Sequence, residues 1–261
     1  MAVRGRSRVL LGAAPGVGKT YAMLDEGKHL RAGGSDVVIA VVETHGRAAT
    51  AAMTEGMEVV PRHYVECRGI ELPEMDLDEV LARHPDVALV DELAHTNAPG
   101  SRNEKRWQDV EELLEAGIDV ISTVNIQHIE SLNDVVEQIT GVPQRETVPD
   151  TVLRRASQVE VVDLAPQALR DRLSSGKVYP AERIDAALSN YFRLGNLTAL
   201  RELALLWVAD EVDHALADYR SEHGIDSRWE ARERVVVALT GGREGETLLR
   251  RGARIAVRAG G

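Results

Sequence analysis

Along the first 150 positions, short apolar runs end in polar or glycine-bearing turns and alternate with stretches of helical spacing. Arg8-Val-Leu-Leu11 is apolar and stops at Gly12; residues 19–31 then place Leu24 and Leu30 at helical spacing, and Gly33-Gly34 closes that stretch. Asp36-Val-Val-Ile-Ala-Val-Val42 is a nearly continuous β-branched run, as expected of a strand buried on both faces, and residues 86–90 and 119–124 repeat that character. Residues 107–116 read as an amphipathic helix between them. Strands alternating with helices predict an α/β fold, P-loop NTPase-like, in which a mostly parallel sheet carries helices on both faces.

Beyond position 148 the pattern changes. Residues 158–163 read as a further strand, and 181–219 as a long Ala/Leu-rich helical stretch broken near Gly195. Ser221-Glu-His-Gly-Ile-Asp226 has the polarity of a linker. A new unit follows, with a strand at 234–239, a turn at Gly241-Gly242 and a helix at 246–258. The expected division is a first domain at 1–222 with a helical extension at about 180–220, a linker at 223–233, and an incomplete second α/β unit at 234–261. One strand and one helix cannot bury a core of their own.

Composition narrows the function classes. The 261 residues are 44% hydrophobic and 28% charged, which suits a globular domain, and with only 3% aromatics the interior must be filled by aliphatic side chains. No apolar stretch approaches the roughly 18 residues that a membrane span needs. The basic N-terminus leads into a glycine-rich loop instead of a cleavage site, so a cytoplasmic location is expected. A formal charge of -11 opposes nucleic-acid binding. Cys67, the single cysteine, excludes an internal disulfide, and the 8 histidines lack the paired spacing of a zinc site.

The chemistry concentrates where strands end. Gly12-Ala-Ala-Pro-Gly-Val-Gly-Lys-Thr20 reads as a glycine-rich phosphate loop of the form G-x-x-x-x-G-K-[ST], with a strand before it and a helix after it. Gly12, Pro15, Gly16, Val17 and Gly18 would wrap phosphate oxygens with backbone N–H groups, Lys19 would bring a point charge, and the Thr20 hydroxyl would ligate Mg2+. A partner acid is expected on a neighbouring strand: Val87-Ala-Leu-Val-Asp91-Glu92 offers Asp91 for the metal and Glu92 as a general base. The ligand implied is ATP with Mg2+.

Two other strand ends carry polar groups. Glu43 and His45 follow one buried run, and Asn125, Gln127 and His128 extend another; Asn125 resembles the polar residue with which an extra central strand senses a terminal phosphate, and Glu43 is a second candidate for nucleotide contact. The polar segment 94–103 leaves the acid pair directly and is expected to be ordered by the nucleotide. Arg102, Lys105 and Arg106 beyond it are candidates for a phosphate contact in cis or across a homodimer, against the plainer reading of a solvated helix start.

Taken with Val42-Glu-Thr-His-Gly-Arg47, Asp91-Glu-Leu-Ala-His-Thr-Asn-Ala-Pro-Gly-Ser-Arg102 and Asn125-Ile-Gln-His-Ile-Glu-Ser-Leu-Asn133, the phosphate loop resembles the N-terminal cytoplasmic domain of the KdpD family, the osmosensitive potassium-channel sensor histidine kinases of bacteria. The similarity spans roughly residues 7 to 220. It implies that 234–261 opens a universal-stress-protein-like domain, and that the partners are the membrane-spanning and kinase parts of a larger protein. It implies a two-component regulatory domain in which ATP occupancy biases kinase against phosphatase activity. The alternative is a free-standing ATPase that uses Glu92 and acts on a protein partner.

Overall fold

The computed structural model describes residues 3–176, 188, 190–225 and 245–259. β1 (Ser7–Gly12) leads into α1 (Lys19–Ala32), followed by β2 (Val37–Val41), α2 (Ala48–Thr54) and β3 (Glu58–Val59). A hairpin of β4 (His63–Cys67) and β5 (Ile70–Glu74) comes next, then α3 (Leu77–Arg83), β6 (Val87–Val90), α4 (Arg106–Glu115) and β7 (Asp119–Asn125). The chain continues through α5 (Asn133–Thr140), α6 (Asp150–Arg154), β8 (Gln158–Val162), α7 (Pro166–Ser174) and α8 (Leu194–His223). A last helix, α9, covers Gly245–Ala259.

Six strands form one sheet in the order β3-β2-β6-β7-β1-β8, and every pairing in it is parallel. Alternation within the strands explains why both faces are covered. Leu10, Ile39, Leu89 and Ile121 face one apolar cluster with Met23 and Leu24 of α1, whereas Leu11, Val38, Val90 and Val120 face another with Val110 and Leu113 of α4. α1 lies so close to the sheet that a Cβ at Gly27 would stand 2.5 Å from Leu89 Cδ1. The parallel order brings the C-terminal ends of β1, β2, β6 and β7, where the polar groups follow the apolar runs, to one edge of the sheet.

The described elements match the strands and helices expected through residue 163, with end shifts of a residue or two. The hairpin of β4 and β5 was not expected: its residues are mostly exposed, so it lacks an apolar signature. The expected break at Gly195 falls earlier, at residues 190–193, and Gly195 lies inside the first turn of α8, where its N–H needs no partner within the helix. The expected linker begins late: Ser221, Glu222 and His223 are still helical, and Gly224, at φ 61, supplies the left-handed stop. Most of 181–189, the rest of the linker and the strand expected at 234–239 lie outside the described residues.

By its contacts the chain divides into two units, Met1–Glu211 and Val212–Gly261. The first contains the sheet and the cleft described below. The second contains the end of α8 and α9, a helix where the spacing predicted one. Among the described residues no helix is long and apolar enough to cross a membrane.

Candidate functional site

β1 ends where its backbone must turn without a side chain in the way. A Cβ on Gly12 would stand 2.6 Å from Val17 Cγ2 and 2.9 Å from Lys19 Cδ, so Gly12 leaves room for the stem of Lys19. This corrects the register of the loop: counted back from Gly18-Lys19-Thr20, the first position of the G-x-x-x-x-G-K-[ST] form is Ala13, and Gly12 is the last residue of the strand. Gly16 and Gly18 have φ of 90° and 115°, a region that side chains resist. α1 then starts at Lys19 with no side chain capping it at Gly18. The Lys19 ammonium is only 8% exposed and donates to Asn125 Oδ1. Burial pulls its pKa down to about 8; Asp91 opposes that shift and Arg47 adds to it.

The extra central strand expected from Asn125 is β7. β7 is inserted between β1 and β6, which is what brings Asn125, at its end, beside Lys19. Asp91 is 1% exposed. Its Oδ1 accepts from the hydroxyls of Thr20, at 3.3 Å, and Thr123, and its Oδ2 accepts from the Glu43 N–H at 3.2 Å. Burial raises the Asp91 pKa, while the Thr123 hydrogen bond pulls the other way.

Glu92 turns the chain sharply at φ 55, with its N–H on Thr123 Oγ1 at 3.1 Å. A left-handed non-glycine residue costs roughly 1 kcal/mol. The turn brings the Glu92 carboxylate to His45, whose Nε2 lies 2.9 Å from Oε1. Burial alone would raise the Glu92 pKa, but the hydrogen bond and charge of His45 overcome it and hold the carboxyl below its usual range. The same hydrogen bond raises His45.

The remaining candidates separate. His45, Asn125 and His128 line a cleft of about 890 Å³, together with the stretch from Pro15 to Thr20, Asp91 and Glu92. Burial lowers the His128 pKa, and its Nδ1 lies 2.8 Å from the Glu146 carbonyl. Glu43 is not among the lining residues: it serves Asp91 through its backbone, and Arg62 holds its carboxylate at 2.9 Å. Gln127 is turned to Gln144 and the Tyr191 hydroxyl. Arg102, Lys105 and Arg106 do not line the cleft. Arg102 pairs with Asp78 and Glu112, and Lys105 bonds Thr96 Oγ1 at 2.7 Å.

Arg106 is buried at 1% exposure; its Nη1 donates to the Asp91 carbonyl at 3.0 Å and its Nη2 lies 3.4 Å from Glu74 Oε2. Glu74 at the end of β5, itself 7% exposed, also accepts from the Ala98 N–H at 2.7 Å and lies 3.1 Å from His95 Nε2. Asn97 adds a 2.7 Å bond to Asp109. Segment 94–103 is thus fastened by the protein's own groups into a packed, hydrogen-bonded connection. Glu74 was not legible beforehand, because its hairpin has no apolar pattern.

Two arginines were also missed. Arg172 on α7 donates to the carbonyls of Gly16 at 3.0 Å and Val17 at 3.4 Å, and Arg47 precedes α2; both line the cleft. Leu169 and Leu173 seat α7 against Ala14 and Val17 of the loop, in a cluster completed by Phe192 and Leu197.

With this arrangement established, comparison with known proteins is informative. The family described as "KdpD: Osmosensitive K+ channel His kinase sensor domain" matches residues 3–212. The chain belongs to the KdpD family. "Sensor protein KdpD" of Mycobacterium tuberculosis (strain CDC 1551 / Oshkosh) is 66% identical over 97% of this chain and 29% of its own length. The protein of that name from Rathayibacter rathayi is 70% identical over 92% of this chain and 28% of its own. The one from Escherichia coli (strain K12) is 53% identical over 98% and 29%. The chain therefore spans under a third of the length of these KdpD relatives, and the match covers the whole sheet and cleft.

Proposed function

We propose that this chain is the ATP-binding cytoplasmic regulatory domain of a KdpD-type two-component sensor histidine kinase controlling potassium transport, in which nucleotide occupancy biases the kinase/phosphatase balance of the remaining protein. The observation that carries this reading is a buried, unusually acidic ammonium, Lys19, beneath a loop held open by left-handed Gly16 and Gly18, with a buried carboxylate, Asp91, bonded to Thr20. Burying either charge is costly, and a ligand of opposite sign would offset that cost. In this P-loop (Walker A) reading, Lys19, the loop amides and Asn125 hold the phosphates, and Thr20 and Asp91 hold Mg2+. The metal supplies positive charge to the phosphate oxygens. The length of the relatives supports a setting in a longer protein, which in this reading is membrane-bound and a homodimer.

Segment 94–103 is fixed by protein contacts, so the coupling proposed here is a displacement of packed elements and not the ordering of a loose loop. The Glu92 carboxylate is engaged by His45, which favours a regulator over a fast ATPase. The two readings separate on turnover: hydrolysis in a regulator should be slow or absent, and enzyme-like rates would favour the free-standing ATPase.

Asp91→Asn tests the metal assignment. The substitution removes the charge but keeps the shape, so ATP affinity should fall more with Mg2+ present than without it. Calorimetric titrations in the two conditions measure this, and equal losses would count against Asp91 as the metal partner.

A further inference from the structure

The groups that the sequence placed at the phosphates leave the cleft floor short of positive charge. Lys19 is one cation, and Asp91 and Glu92 are two carboxylates beside it. A polyphosphate would meet net repulsion there before any metal is counted. The arginines proposed from sequence do not relieve this, since Arg102 and Arg106 are tied to acidic partners elsewhere.

The cleft has two other arginines, on elements from opposite ends of the domain. Arg47 follows β2, and its Nε is buried with no hydrogen-bond partner among the described residues. A buried guanidinium N–H without an acceptor is costly and points to one that is missing. Arg172 comes from α7; it donates to the neutral carbonyls of Gly16 and Val17, and no carboxylate pairs with it among the described residues. Its Nη1 would lie 3.6 Å from a Cβ on Gly18, so it stands against the turn that enters α1.

We propose that Arg47 and Arg172 are further phosphate-binding residues of this cleft, closing on the polyphosphate of a nucleotide from the β2 side and the α7 side. This rests on the nucleotide reading given above. Guanidinium forks suit phosphate oxygens better than carbonyl dipoles do, so Arg172 has a stronger partner to move to when a phosphate arrives. Because α7 is packed on the loop through Leu169 and Leu173, that exchange would carry occupancy into the helical part of the domain.

The test is calorimetric affinity for ATP with Mg2+, at low and high ionic strength, for the unsubstituted chain and for Arg47→Ala, Arg172→Ala, Arg47→Lys, Arg172→Lys and Lys19→Ala, with thermal melts as the folding control. Each arginine-to-alanine change should weaken ATP binding by about ten- to a hundredfold, the range for a hydrogen bond to a charged group. The ionic-strength dependence should flatten and lysine should recover part of the loss. Alanine variants that bind ATP like the unsubstituted chain, while Lys19→Ala does not, would overturn the inference and leave the nucleotide reading standing. A loss that tracks a lowered melting temperature with unchanged salt dependence would also overturn it, reducing the arginines to structural staples. If Lys19→Ala binds as well as the unsubstituted chain, the nucleotide reading fails and this inference with it.

Discussion

Replacing Lys19 by alanine is expected to remove measurable ATP binding while the circular dichroism spectrum stays that of the folded chain, and Thr20→Ala should act in the same direction. The Lys19 ammonium is the cation at the base of the loop, 8% exposed and bonded to Asn125, so its removal subtracts a charge–phosphate contact that no neighbouring lysine replaces. Such contacts are worth about 2–3 kcal/mol or more when buried, which is at least thirtyfold in affinity. Stability should not suffer. Burial lowers the Lys19 pKa from 10.5 to about 8, so the folded state holds fewer protons than the unfolded one between those values. Stability therefore rises with pH across that window, and at neutral pH the buried ammonium opposes folding. Lys19→Ala should flatten that rise and leave the melting temperature no lower. Unchanged ATP affinity in both variants would remove the basis for the site.

The largest effect on folding is expected from Arg106→Ala. Its side chain is 1% exposed and joins the Asp91 carbonyl to Glu74, so truncation leaves a buried carboxylate with only His95 and the Ala98 N–H, and takes the side-chain donor from a main-chain oxygen. Breaking a buried pair by removing one partner costs about 3–5 kcal/mol, whereas replacing both partners by apolar groups of similar size is often nearly neutral. Arg106→Ala should therefore lower the free energy of unfolding by roughly that amount, and Arg106→Met combined with Glu74→Leu should lose much less. Chemical denaturation measures both. A loss under about 1 kcal/mol for Arg106→Ala would show that the network contributes little.

Legibility from sequence followed the strength of the local signal. β1, β2, β6 and β7 could be read because parallel strands buried on both faces are continuous apolar runs. Lys19, Thr20, Asp91 and Asn125 could be placed at one edge because each stands just past such a run, and the structure brings them together. Strand order was harder: only Asn125 hinted that β7 is the extra central strand, and the rest of the order is a tertiary fact with no local residue signature. Glu74, Arg47 and Arg172 were missed for a similar reason. Each lies on a short or exposed element and acquires its role only from distant residues, as when position 172 meets position 16. Arg106 departs from both readings open to it, a phosphate contact and a solvated helix start, because it is buried in the core.

The apolar cluster under the loop has a mechanical consequence. Ala14 and Val17 are locked against Leu169 and Leu173, and these against Phe192 and Leu197, where α8 begins. Interiors this closely packed transmit a shift instead of absorbing it. The loop is then not a flap with hinges of its own but the short arm of a lever. Its fulcrum is the end of β1, and its long arm is the first half of α8, which packs through Leu200 and Ala204 on the core beneath the sheet.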